Sequence, residues 1–89
     1  MTQREAERAA DLAILAQREA DLDSAQRRFA RSEVLAPRGA VSVQILDDDR
    51  AKFNSAKAAV NTAQAQVAAA EAAILHATSQ VVDAKAQID

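Results

Sequence analysis

The residues that could do chemistry in this chain are few, and their spacing keeps them apart. His76 is the only histidine, Glu71 stands five positions before it, and there is no cysteine. A metal site therefore has too few ligands unless subunits share one. Asp47, Asp48 and Asp49 are consecutive; on a helix such neighbours point about 100° apart and cannot converge on one hard cation. They read instead as a solvated acid cluster, countered by Arg50 and Lys52. No Ser/His/Asp or Cys/His arrangement and no glycine-rich phosphate loop occurs, so covalent catalysis and nucleotide chemistry lack their parts. The expectation is no enzyme, no cofactor and no metal, with His76 an ordinary residue on a helix surface.

What must position anything else is decided between Ala30 and Asp49, which hold the only proline and the only glycine of the chain. Pro37 removes a backbone donor and biases Ala36 away from the helical region, while Gly39 can take positive φ without a Cβ penalty. A helix should stop near Leu35 or Ala36. Ser42 suits the N-cap of a second helix, its hydroxyl accepting from an amide of the next turn. The pattern predicts an all-α fold, an antiparallel two-helix coiled-coil hairpin. Its first helix covers about 2–36, its tip loop about 37–41 with Pro37 and Gly39 as the turn, and its second helix about 42–88.

Composition limits what such a hairpin can be. Two Phe and no Trp or Tyr leave few bulky groups for a globular interior, whereas 49% hydrophobic residues, mostly Ala, favour helices with closely approaching backbones. A net charge of −2 argues against a nucleic-acid partner. No apolar run approaches the ~20 residues of a membrane span, and no signal peptide opens the chain.

The second segment carries the strongest periodic signal. Leu46, Phe53, Val60, Val67, Ile74, Val81 and Ile88 stand at seven-residue intervals, and three further on come Asp49, then Ala56, Ala63, Ala70, Ala77 and Ala84. A large residue at one heptad position and Ala at the other predicts a tightly packed left-handed supercoil. The first segment shows no clean seam: Leu15, Leu22 and Phe29 recur every seven, with Ala6, Ala9, Ala13, Ala16 and Ala20 beside them as a broad apolar face. Like charges at Glu7 and Asp11 and at Arg4 and Arg8 mean that this helix needs a partner.

Folding the chain at Gly39 makes residues face each other when their numbers total about 78. Leu22 then meets Ala56, Leu15 meets Ala63 and Phe53 meets Ala25, large against small. Arg18 and Asp11 fall opposite Val60 and Val67, tolerable only if their heads reach water. The arms are unequal, roughly 70 Å against roughly 50 Å, and residues beyond about Ala77 find no partner. The natural protein is expected to continue past both ends, and the fragment alone to cover its tail by self-association.

These residues carry a resemblance. The tip resembles that of periplasmic adaptors, also called membrane fusion proteins, of tripartite efflux pumps and type I secretion systems. In that family a helical hairpin inserted into a lipoyl-like domain carries at its end an Arg, a Leu four residues on and a Ser seven beyond. Arg31, Leu35 and Ser42 stand at those spacings, and Gly39-Ala40-Val41-Ser42 with Leu46-Asp47 is similar to the family's Gly-Ala-Ile-Ser and Leu-Asp pattern. Two departures touch the loop: Ile45 stands where a Glu or Gln often completes a capping box, and Pro37 is not a usual tip residue. The second helix runs 47 residues past Ser42 without the Thr-plus-Ala-Pro signature that returns such chains to the lipoyl half-motif. That resembles the long-hairpin branch of ABC-type or major-facilitator-type exporters rather than the short-hairpin adaptors of proton-driven pumps.

The resemblance implies a periplasmic module of a protein anchored in the inner membrane. It implies an outer-membrane channel of the TolC kind met tip to tip, and an inner-membrane transporter engaged through other parts of the adaptor. It also implies a homo-oligomer, its hairpins side by side. In that arrangement Arg31 donates to loop carbonyls, Leu35 fills a groove and Ser42 caps or bonds across. Chemistry alone leaves open that Arg31 is a solvated charge, Leu35 closes the core and Ser42 merely caps. Ala58 to Gln80 has Glu71 as its one formal charge, which suits lateral packing through Asn61, Gln64 and Gln66, or reflects Ala-driven helix propensity. The alternative function is a generic coiled-coil spacer or homodimerisation rod without a tip partner.

Overall fold

Thr2 opens the first helix. Its backbone is extended (φ −77°, ψ 163°), and its hydroxyl accepts from the Glu5 amide at 3.2 Å, satisfying one of the donors a helix start leaves unpaired. The computed structural model describes residues 2–88, the side chains of 87 and 88 excepted. It consists of α1 (Gln3–Leu35), a 3₁₀ turn (Ala36–Arg38) and α2 (Val43–Ile88). There is no strand among the described residues. The two helices pack antiparallel into a rod of 75 × 18 × 14 Å.

The turn departs from expectation at Ala36, which stays helical at φ −61°, ψ −45° despite preceding Pro37. The chain tightens from α to 3₁₀ instead of becoming extended, a geometry that keeps the proline ring away from the carbonyl four residues back. Gly39 then takes the left-handed conformation, φ 75° and ψ 8°. Its amide donates to Ala36 O at 3.0 Å, and the next amide, of Ala40, donates to Leu35 O at 3.1 Å. This pair of crossed bonds is the Schellman closure, which gathers carbonyls that the helix end would leave open. Those two bonds outweigh the pre-proline bias.

Because helical backbone continues to Arg38, the fold-back lies slightly beyond Gly39. Ser32 meets Asp49, Phe29 meets Phe53, Arg8 meets Glu71 and Arg4 meets Ala73, so facing numbers total between 77 and 82, highest near the tip. Phe53 accordingly stacks on Phe29, centroids 5.6 Å apart and planes 27° apart, where large against small was expected with Ala25.

On α2 the heptad seam is as the spacing predicts through Ala77: Val60, Ala63 and Val67 are buried and Leu46, Phe53, Ala56, Ala70, Ile74 and Ala77 half-buried. Val81 is 54% exposed, since α1 begins at Gln3 and only an open hollow shared with the start of that helix borders it. The side chain of Ile88 falls outside the described residues. On α1 there is a clean seam after all. Asp11, Leu15, Arg18, Leu22, Ala25, Phe29 and Ser32 alternate by fours and threes as its covered positions, with Leu35 three further on, while Ala6, Ala9, Ala13, Ala16 and Ala20 are exposed. Hydrophobicity conceals this seam because one of its two heptad series, Asp11, Arg18, Ala25, Ser32, is mostly polar. Arg18 is accommodated along its stem, its side chain 43% exposed and its head 3.8 Å from Asp21.

Candidate functional site

The acids of the second helix do not form one cluster. Asp47 is exposed and paired with Arg50 at 3.6 Å, whereas Asp49 is buried and accepts a hydrogen bond from the Ser32 hydroxyl on the facing helix. The reading of all three as solvated fails because Asp49 occupies the seam position held by Ala in the following heptads. Arg50 also covers the Phe29 ring, its guanidinium carbon 5.6 Å from the centroid, a cation–π contact above the Phe29–Phe53 stack. Ser32 and Asp49 are the residues that composition hides. The signal is the break in the Ala series at Asp49 and the seven-residue step from Ala25 to Ser32.

Arg31 stands level with this layer, next to Ser32, and Leu35 and Ser42 lie beyond it towards the turn. Arg31 and Leu35 are one turn apart on α1 and share a face; Arg31 is exposed, and Leu35, the last α1 residue, is half-buried. Ser42 begins α2, its hydroxyl accepting from the Ile45 amide at 3.1 Å and its carbonyl from the Leu46 amide at 3.1 Å. With Ile45 at the third position the cap is one-way. The Schellman bond from Ala40 ties Leu35 to the loop that ends at Ser42. Pro37 and Gly39 both lie exposed in the turn between them. Among the described residues Arg8, Arg18, Arg27 and Arg50 each lie within 4 Å of a carboxylate, Arg27 and Asp23 at 3.2 Å. Arg31 has no such partner within 4 Å there; it borders a hollow with Asp23, Ser24, Arg27 and Arg28, in which the Asp23 carboxylate is paired with Arg27.

The other candidates are placed as follows. Asn61, Gln64 and Gln66 are all exposed. The first two sit about 60° apart around α2, and Gln66 points more than about 130° away from both, so they line two edges rather than one. Glu71 pairs across the seam with Arg8 at 3.3 Å, one turn from the Arg4 guanidinium that donates to the Ala73 carbonyl at 3.0 Å. His76 lies 3.1 Å from the Gln80 amide, which donates to Nε2 in the Nδ1–H tautomer. No three of His, Cys, Asp and Glu converge among the described residues.

The architecture and tip can be set against known families. A family model described as "RND MFP, alpha-helical hairpin domain" matches residues 2–89. The chain belongs to this family of RND membrane fusion protein hairpins. No curated protein and no solved structure matches the chain. As an RND membrane fusion protein hairpin it is part of a structural adaptor, not of an enzyme family, and such domains are periplasmic. Membership implies partners of the kind of an outer-membrane channel and an inner-membrane transporter. No described helix is long and apolar enough to cross a membrane. The matched family is named for the RND class, so it lends nothing to the ABC-type or major-facilitator-type association drawn from helix length. The length of an arm measures reach, not the energy source of the transporter.

Proposed function

We propose that this hairpin docks by its tip on the helical end of a TolC-type outer-membrane channel and bridges it to an inner-membrane transporter. The observation that carries the reading is Arg31: an exposed guanidinium without a carboxylate partner among the described residues, one turn from half-covered Leu35 on the same face of α1. A free guanidinium is a five-donor fork that suits the carbonyls of an opposing helix turn. Leu35 supplies the apolar contact beside it, and Ser42 holds the start of α2 while keeping its hydroxyl at the surface. The turn residues Pro37 and Gly39 fix the approach of the two helices. Further down the rod, hairpins stand side by side, with Asn61 and Gln64 on one edge and Gln66 on the other meeting different neighbours.

Arg31→Asp and Leu35→Ser in the full-length adaptor test the docking. Each should abolish channel pull-down and export while leaving the helical circular dichroism of the hairpin unchanged. If both variants bind and export like the parent, the tip has no partner and the hairpin is a spacer.

A further inference from the structure

The seam of this hairpin is repetitive enough to close in more than one place. Along α2 the pairs Val60 and Ala63, Val67 and Ala70, and Ile74 and Ala77 succeed one another at seven residues, and along α1 Leu15, Leu22 and Phe29 do the same. Sliding one helix past the other by a heptad keeps large residues facing large ones. Phe29 would meet Leu46 instead of Phe53, Leu22 would meet Phe53, and Leu15 would meet Val60. The turn would then move back by about half a heptad, towards Pro37, drawing Leu35 into the loop and leaving Ser42 inside α2. Proline at the apex gives no steric objection to that arrangement.

One contact distinguishes the two. Ser32 and Asp49 are the buried polar residues of the described chain, 4% and 6% exposed, and they hydrogen-bond to each other across the seam. In the slipped arrangement Asp49 would lie against Ala25 and lose the buried Ser32 hydroxyl, with only the exposed groups Ser24, Arg28 and Lys52 that already border it at hand, and a carboxylate that loses its buried donor is disfavoured. Buried polar pairs in coiled coils act in this way, setting register where apolar residues are indifferent to it. We propose that Ser32 and Asp49 are positioning residues that select where this chain turns, and through the turn decide which side chains stand at the tip. The claim concerns register and holds whether or not the tip docks on a channel.

The chain contains no cysteine, so spin labels can be placed at will in the 89-residue protein by Gln17→Cys and Gln44→Cys, both exposed positions. In the observed register these sites lie roughly 30 Å apart along the rod, and a heptad slip shortens that to roughly 20 Å. The labelled parent should give one distance. The Ser32→Ala/Asp49→Ala double variant should remain helical, melt at or above the Ser32→Ala single variant, and show a second population about 10 Å shorter along the axis. The exchanged pair Ser32→Asp/Asp49→Ser keeps a donor facing an acceptor and should restore the single distance. A double variant with only the parental distance would overturn the proposal. So would a double variant that loses its helix, since the pair would then hold the fold together rather than choose its register.

Discussion

Replacing Gly39 gives the sharpest test of the tip geometry, because the structure isolates a single energetic term. A Cβ built on Gly39 meets nothing within 4 Å, so no substitution there is opposed by crowding. What opposes it is φ of +75°. For an L-alanine the left-handed region is unfavourable by about 1–2 kcal/mol, and the reduced freedom of the unfolded chain offsets about 0.4–1 kcal/mol of that. Gly39→Ala should therefore destabilise the hairpin by about 1 kcal/mol. Gly39→Asn should cost less, since Asn visits this region more readily, and Gly39→Val more, since a β-branched residue is a genuine outlier there. Urea unfolding followed by helical circular dichroism measures all four proteins, and the expected order of stability is Gly, Asn, Ala, Val. If Ala equals Gly, or Asn falls below Ala, residue 39 is not held at positive φ and the Schellman closure from Ala40 to Leu35 is wrong.

Other consequences are direct. Ala63 is 2% exposed, so Ala63→Leu has no space for its added carbons and should cost about 1–3 kcal/mol by thermal melting. The Arg8–Glu71 pair, with side chains 46% and 50% exposed, should contribute no more than about 0.5 kcal/mol in a double-mutant cycle, and less at high salt. Phe29→Leu keeps apolar area but removes both the Phe53 stack and the ring under Arg50; a loss of about 1 kcal/mol is expected. Gln64→Cys in the full-length adaptor should form inter-subunit cross-links if hairpins pack side by side, and their absence counts against that packing.

The α2 seam was legible in the sequence because all its large positions are apolar and its small ones are Ala after the first heptad. The α1 seam was not, for the converse reason. Asp11, Arg18 and Ser32 sit at covered positions, and the alanines that look like a face are exposed. Hydrophobic pattern reports a seam where its residues are apolar, and here the polar series is half-covered at Asp11 and Arg18 and buried at Ser32. The turn was half legible. Gly39 declares itself by being the one glycine, but the 3₁₀ turn through Pro37 depends on two backbone bonds that form only once the chain has folded back. That extra turn moved the facing register near the tip, which is why Phe29 rather than Ala25 covers Phe53. At the site, Arg31, Leu35 and Ser42 were found by spacing, while the Ser32–Asp49 contact beside Arg31 needed the register itself.

The polar α1 seam makes a prediction that separates two ways of tolerating a charge. Arg18 and Asp11 hold equivalent heptad positions and both are partly covered, yet only Arg18 has a stem long enough to lie on the seam with its head outside, near Asp21. The Asp11 carboxylate is one carbon from the backbone and has no ion pair among the described residues, so its seam position buries little apolar area. Arg18→Leu exchanges one apolar stem for another and, with similar helix propensities, should change stability by less than about 0.5 kcal/mol. Asp11→Leu adds both apolar contact against α2 and helix propensity, and should stabilise by about 1 kcal/mol. The asymmetry is the test. Equal gains at the two sites in urea unfolding would mean that the Arg18 stem does not pack on the seam. A loss at Asp11 would mean that its carboxylate has a partner across the helices, and the account of α1 as a seam with one polar series would have to be redrawn.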